Sequence, residues 1–166
     1  MLIEVKVSGL TIDPLTNTPI VILKDSEGKK IIPIWIGLFE ASAIATELEK
    51  IAFSRPMTHD LITEIMKSLE IAVSKVEIND LKNNTFFANI YLEQGSKNFT
   101  VDARPSDAIA IALRSNAPIF VDESVINKSR NIDFGTKITD IDGITKEKLQ
   151  DFLENLSPED FGKYKM

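Results

Sequence analysis

The chain has 166 residues, 43% of them apolar and 27% charged, with no cysteine, which is one ordinary domain on a scale of roughly 100 to 200 residues per domain. A chain of this size buries about 70% of the surface its unfolded form exposes, so it needs no disulfide or structural metal, and thiol catalysis, Cys-ligated zinc and iron-sulfur clusters are excluded. The 25 acids against 19 Lys and Arg leave a net charge of −6, the opposite of a protein that coats nucleic acid.

The acidity is not a detachable tail, because residues 1–121 carry 15 acids against 12 bases and residues 122–166 carry 10 against 7. No stretch approaches 18 consecutive apolar residues, and Glu4 and Lys6 interrupt what would be the apolar region of a signal peptide. The expectation is a cytoplasmic, unprocessed protein that does not engage a membrane.

In chain order, Leu2 to Leu10 alternates with Ile3, Val5 and Val7 on one face, the period of a half-buried strand. Pro19 to Lys24 and Lys30 to Ile36 predict a hairpin across Asp25-Ser26-Glu27-Gly28. Leu38 to Phe53 carries Phe39, Ala43, Ala45, Leu48, Ile51 and Ala52 at helical spacing. Arg55-Pro56 breaks that helix, and a second is expected from Thr58, as N-cap, to about Leu69. Ile71 to Leu81, Thr85 to Gln94 and Asn98 to Asp102 predict a three-stranded antiparallel meander.

A third helix, opened by Arg104-Pro105-Ser106-Asp107 and running from Ala108 to Ser115, is apolar on nearly every side and must be buried. Ile119 to Val121 is a short strand. Beyond it the chain is more polar, with an amphipathic helix expected at Lys146 to Leu156 and a further turn at Ser157 to Phe161. The fold class expected is α+β: a mixed, largely antiparallel sheet with a buried Ala/Ile-rich helix, one domain over residues 1–121 and a helical C-terminal extension over residues 122–166.

With a single histidine, His59, chemistry must lean on carboxylates. His59 and Asp60 fall in the first turn of the second helix, whose positive end stabilises the Asp60 anion and disfavours a protonated imidazole. The order Arg55-Pro56-Met57-Thr58-His59-Asp60 is echoed by Asp102-Ala103-Arg104-Pro105-Ser106-Asp107. Two helix N-termini, two guanidinium forks and the hydroxyls of Thr58 and Ser106 suit a phosphate or carboxylate. Asp60, Asp102, Asp107 and Glu40 are hard oxygen ligands suited to magnesium or manganese. The same residues are also ordinary helix-opening grammar: hydroxyl caps, Pro in the first turn, acids near the positive end. Trp35 reads as a core or interface anchor. No P-loop, Rossmann fingerprint, Gly-x-Ser-x-Gly or His-Glu-x-x-His occurs.

Ile31-Ile32-Pro33-Ile34-Trp35-Ile36-Gly37, Arg55-Pro56-Met57-Thr58-His59-Asp60-Leu61, Asn84-Thr85-Phe86-Phe87-Ala88, Asp102 to Ala110 and Ala117-Pro118-Ile119-Phe120-Val121 occur in this order and resemble the blocks of the bifunctional nuclease domain family. The resemblance implies nuclease activity on DNA and RNA, a mixed α+β fold, and association into a homodimer or higher homo-oligomer. It points to Glu40, Arg55, Thr58, His59, Asp60, Asp102, Arg104, Ser106 and Asp107 as the matching polar positions.

The mechanism expected from these clusters is phosphodiester hydrolysis assisted by a divalent cation on Asp60, Asp102 and Asp107 or Glu40. Neutral His59 would take a proton from water, while Arg55, Arg104, Thr58 and Ser106 hold the phosphate. Nucleic acid would be a transient, weakly held substrate. The alternative is a non-enzymatic oligomeric module, in which the Arg-Pro helix openings bind a small anion or build a subunit interface.

Overall fold

A computed structural model describes residues 1–130; the expected segments at Lys146 to Leu156 and Ser157 to Phe161 lie outside the described residues. The order of elements is β1 (Leu2–Ile12), β2 (Pro19–Asp25), β3 (Ile31–Trp35), α1 (Leu38–Leu48), α2 (Thr58–Ser68), β4 (Ala72–Lys82), β5 (Thr85–Gln94), β6 (Lys97–Ala103), α3 (Pro105–Ser115), β7 (Ile119–Asp122) and α4 (Glu123–Ser129). The strands form one mixed sheet in the order β3-β2-β1-β7-β4-β5-β6, so the fold is α+β. Among the described residues no helix is long and apolar enough to cross a membrane.

Each half of the sheet grows from local pairing. The β2–β3 hairpin turns through Gly28, with φ at +69°, and the β4–β5 turn uses Asn83 and Asn84, whose φ values of 49° and 60° suit a two-residue turn. β7 joins the halves, antiparallel to β1 and parallel to β4. A register shift in β1 between Val7 and Gly9 explains why Val5 and Leu10, on opposite parities, are both buried. Trp35 is half-buried and its indole N–H donates to Asp13 Oδ2 at 3.1 Å.

α3 is the buried element expected: Ala108, Ile109, Ala110 and Ala112 are fully enclosed and Ile111 nearly so. It packs on β4 and β5, with α1 and α2 beside it. The core gathers Val76, Ile78, Ala88 and Ile90 from the sheet, Ile109 from α3, and Ile44 from α1.

Four expectations are corrected. α1 ends at Leu48 and not near Phe53, because Lys50 enters the left-handed region with φ at 53° and closes the helix; its buried side is Ala41, Ile44 and Ala45, leaving Phe39 half exposed. Thr58 and Ser106 are not caps. Met57 and Arg104 hold those positions, Asp60 accepts from the Met57 N–H at 3.0 Å, and Pro105 starts α3 where its missing N–H costs no helical bond. The polar segment after β7 opens with α4, capped by Asp122 through Ser124 N–H at 2.8 Å.

Candidate functional site

The first turns of α1, α2 and α3 meet around Arg104. Its Nη1 lies 2.7 Å from Glu40 Oε1 and its Nε 2.7 Å from Asp107 Oδ2. The other oxygen of Asp107 lies 2.9 Å from His59 Nε2. The result is one chain, Glu40, Arg104, Asp107, His59, carried by three helix openings and the residue preceding one of them.

Local structure explains each placement. Glu40 is in the first turn of α1 and folds back over Gly37, where any Cβ would overlap its carboxylate. Gly37 has an extended backbone with φ at −73°, so the glycine there serves space and not conformation. Asp107 sits in the first turn of α3, near the positive end of the helix. Its carboxyl is held below the usual carboxylate range by the His59 hydrogen bond first, with Arg104 adding to it against the opposing effect of burial. The Arg104 guanidinium is held more firmly protonated by its bond to Asp107.

An ionised Asp107 only accepts hydrogen bonds, so a neutral His59 carries its proton on Nε2 and keeps its lone pair on Nδ1. Arg104 commits Nε and Nη1 to carboxylates, and with its side chain 66% exposed it offers its remaining N–H donors to an incoming anion.

Asp60, next to His59 in sequence, turns to a different partner. Its Oδ1 lies 2.6 Å from Nε of Arg114, a side chain only 6% exposed that also donates to the Ala110 carbonyl at 3.0 Å. Burial pushes the Asp60 carboxyl up, but the bonds from Arg114 and the Met57 N–H outweigh it, and the net shift is downward. Arg114 was not among the residues expected; its signal in the sequence is a lone arginine seven positions after Asp107, on the same face of an otherwise apolar helix.

Asp60 and Arg114 line an open cleft of about 640 Å³ between α2 and the loop that follows α1, together with Phe53, Arg55 and Lys67. Arg55 is exposed there and makes no ion pair among the described residues. The structure thus places Arg55 with Arg114 and Asp60, and Arg104 with Glu40, Asp107 and His59.

Asp102 is not brought to either group. It pairs in register with Asn89 on β5, while Val101 pairs with Ile90. Alternation therefore puts Asp102 on the face opposite that which buries Ala88 and Ile90. Thr58 is exposed at the start of α2, and Ser106 is buried in the first turn of α3.

The carboxylates expected to share a divalent cation are therefore divided. Glu40 and Asp107 face Arg104, Asp60 faces Arg114, and Asp102 stands across the sheet. Among the described residues no group of three or more His, Asp or Glu comes together that could hold a metal ion.

Comparison with known proteins places these residues in a family. Residues 21–133 match the model of the bifunctional nuclease domain, a span that includes Glu40, both arginine clusters, His59 and Arg114. An uncharacterized protein of Mycobacterium tuberculosis is 37% identical over 164 residues, covering 95% of this chain and 97% of its own. Bifunctional nuclease 1 of Oryza sativa is 28% identical over 63% of this chain, and Bifunctional nuclease 2 of Arabidopsis thaliana 26% over 76%, the matches spanning 33% and 38% of those longer plant proteins. The chain belongs to the bifunctional nuclease domain family.

Proposed function

We propose that this protein hydrolyses phosphodiester bonds of DNA and RNA, with His59 as general base and Arg104 as the phosphate-binding group. The observation that carries the reading is that one carboxylate, Asp107, holds both: His59 Nε2 on one oxygen and Arg104 Nε on the other, at 2.9 and 2.7 Å. The plant relatives named as bifunctional nucleases support the reaction class.

In this reading a phosphate docks on the outward donors of Arg104. His59 takes a proton from water at Nδ1 as the water oxygen bonds to phosphorus and the P–O bond to the departing nucleotide breaks; the imidazolium gives the proton up to the leaving oxygen through solvent, and the guanidinium stabilises the charge that builds on the phosphoryl oxygens. Asp107 is a positioning residue that fixes the imidazole tautomer and aims the guanidinium. Water as nucleophile needs no 2′-hydroxyl, so DNA and RNA are both substrates. Arg55 in the neighbouring cleft extends the phosphate track, and the net charge of −6 makes binding weak and salt-dependent.

A second reading is favoured by one observation: Glu40, Asp60 and Asp107 all have arginine partners, as in a purely structural network of a non-enzymatic module. Cleavage assays separate the two. Single- and double-stranded DNA and RNA are incubated with the wild type and with Arg104→Gln, each with and without EDTA. The catalytic reading expects cleavage to co-elute with the wild-type chain and to fall by about 100-fold or more in the variant. Equal cleavage by both proteins would assign the activity to a contaminant and favour the structural reading.

A further inference from the structure

α2 leaves its apolar stripe, Leu61, Ile62, Ile65 and Leu69, exposed and turns its polar side toward α3 and the loop that follows α1. Asp60, Thr63 and Lys67 of that side line the cleft of about 640 Å³, a volume in the range of pockets that enclose one small ligand. The facing wall is the loop of residues 51–56, which is tied at both ends. The Ile51 N–H bonds the Thr46 carbonyl at 2.9 Å where α1 stops, and the Met57 N–H bonds Asp60 at 3.0 Å where α2 starts. Phe53 on this wall is 50% exposed, so the cleft presents an aromatic ring to solvent.

Charge on the lining suits an anion. Each of its acids already has a cation: Glu47 has Lys50 at 2.9 Å, Glu64 has Lys67 at 3.1 Å, and Asp60 has Arg114 at 2.6 Å. Arg55 is the surplus positive charge of the cleft, in a chain whose net charge is −6. Arg114 is the buried member of the lining, its side chain only 6% exposed. Its Nε donates to Asp60 and one Nη1 donor to the Ala110 carbonyl, and the other donors of the guanidinium remain for a ligand.

We infer that the cleft is the subsite for an unpaired nucleotide close to the scissile phosphate, which makes the protein selective for single-stranded nucleic acid. Phe53 stacks on the base, and Arg55 with the remaining donors of Arg114 holds its phosphate. The inference takes its ligand class from the hydrolysis reading above. A base inside a duplex has both faces covered by its neighbours and cannot reach Phe53, whereas the bases of a single strand stack on aromatic side chains whatever their sequence. The cleft is also within reach of the proposed base. His59 and Asp60 are consecutive, one bonded to Asp107 and the other to Arg114. Those partners are seven positions apart on α3, about 10 Å at roughly 1.5 Å per residue, which is about three stacked base steps of about 3.4 Å and fewer in a stretched strand.

Binding without cleavage tests this. Fluorescence anisotropy of a short labelled DNA strand, and of its duplex, is measured on the full-length His59→Ala chain, with a gel to verify that the strand stays intact. The single strand is expected to bind about tenfold or more tightly than the duplex, and Phe53→Ala in the same chain to weaken it by about tenfold. Phe53→Trp should restore the affinity and have its indole fluorescence quenched by the stacked base. Arg55→Gln should lower the slope of log Kd against log salt by about 0.7, one single-strand phosphate contact. Phe53 is half exposed, so its replacement leaves the core untouched. A duplex bound as tightly as the strand, or unchanged strand affinity in Phe53→Ala, would overturn the inference. The expected binding pattern in a protein whose wild type cleaves nothing would strike the hydrolysis reading alone and support the subsite.

Discussion

His59 and Asp107 are 48 positions apart in the chain, yet Nε2 of one lies 2.9 Å from Oδ1 of the other. The contact joins the first turns of two helices, and the second oxygen of Asp107 passes it on to Arg104.

Replacing Asp107 by Asn keeps the shape but frees the His59 tautomer and weakens the hold on Arg104. The expected result is a fall in kcat of about 10- to 100-fold, smaller than for loss of the base itself. The same variant changes acid stability. The Asp107 pKa is lowered in the folded protein, so its stabilisation is fully present above its unfolded pKa near 4 and is lost as pH falls through the lower folded value. Chemical denaturation between pH 7 and pH 2 should therefore show a steeper loss below about pH 4 for the wild type than for Asp107→Asn. Parallel curves would contradict this.

Gly37 holds space for Glu40. Gly37→Ala would push the flexible Glu40 carboxylate off Arg104, with an expected cost of up to about 1 kcal/mol for the lost exposed ion pair and a raised substrate KM through a misaimed guanidinium. Glu40→Gln removes the charge without the clash and should retain more stability than Gly37→Ala. Thermal unfolding of the two variants measures the order, and the reverse order would refute the packing argument.

The buried Arg114 gives Asp60 a structural role. Asp60→Ala leaves that cation without its carboxylate and is expected to cost about 3 kcal/mol. The double variant Asp60→Ala with Arg114→Met should recover part of that loss, since the uncompensated charge is gone. A double variant as unstable as the sum of the single ones would show that the two side chains do not act as a pair.

Arginines occupy Glu40, Asp60 and Asp107, three of the four carboxylates expected to hold a cation, and Asp102 stands apart from them. Millimolar magnesium or manganese should therefore leave Tm within about 1 °C of its value in EDTA, because a ligand that does not bind the native state specifically does not stabilise it. A rise of several degrees, abolished by Asp107→Asn, would show that a cation competes successfully with Arg104.

The elements legible in the sequence are those fixed by neighbours in the chain. The Asn83-Asn84 turn, the alternation of β1 and the unbroken Ala-Ile run of α3 carry their own structure. The two Arg-Pro clusters were also legible as helix openings, though their caps moved by one or two residues because Asp60 and Pro105 serve Met57 and Arg104 better than a hydroxyl would. What could not be read is tertiary. Whether Asp102 faces the helices depends on β5–β6 register, the pairing of Asp60 with Arg114 spans 54 residues, and the outward turn of the α2 apolar stripe inverts the rule by which its buried face would be assigned.

The central claim is that His59 is the base of a phosphodiesterase site. Its most direct test is the cleavage rate of purified His59→Ala on single-stranded DNA and RNA, with and without added imidazole. The account predicts a loss of about 100-fold or more, partly restored by imidazole; a rate equal to that of the wild type would contradict it.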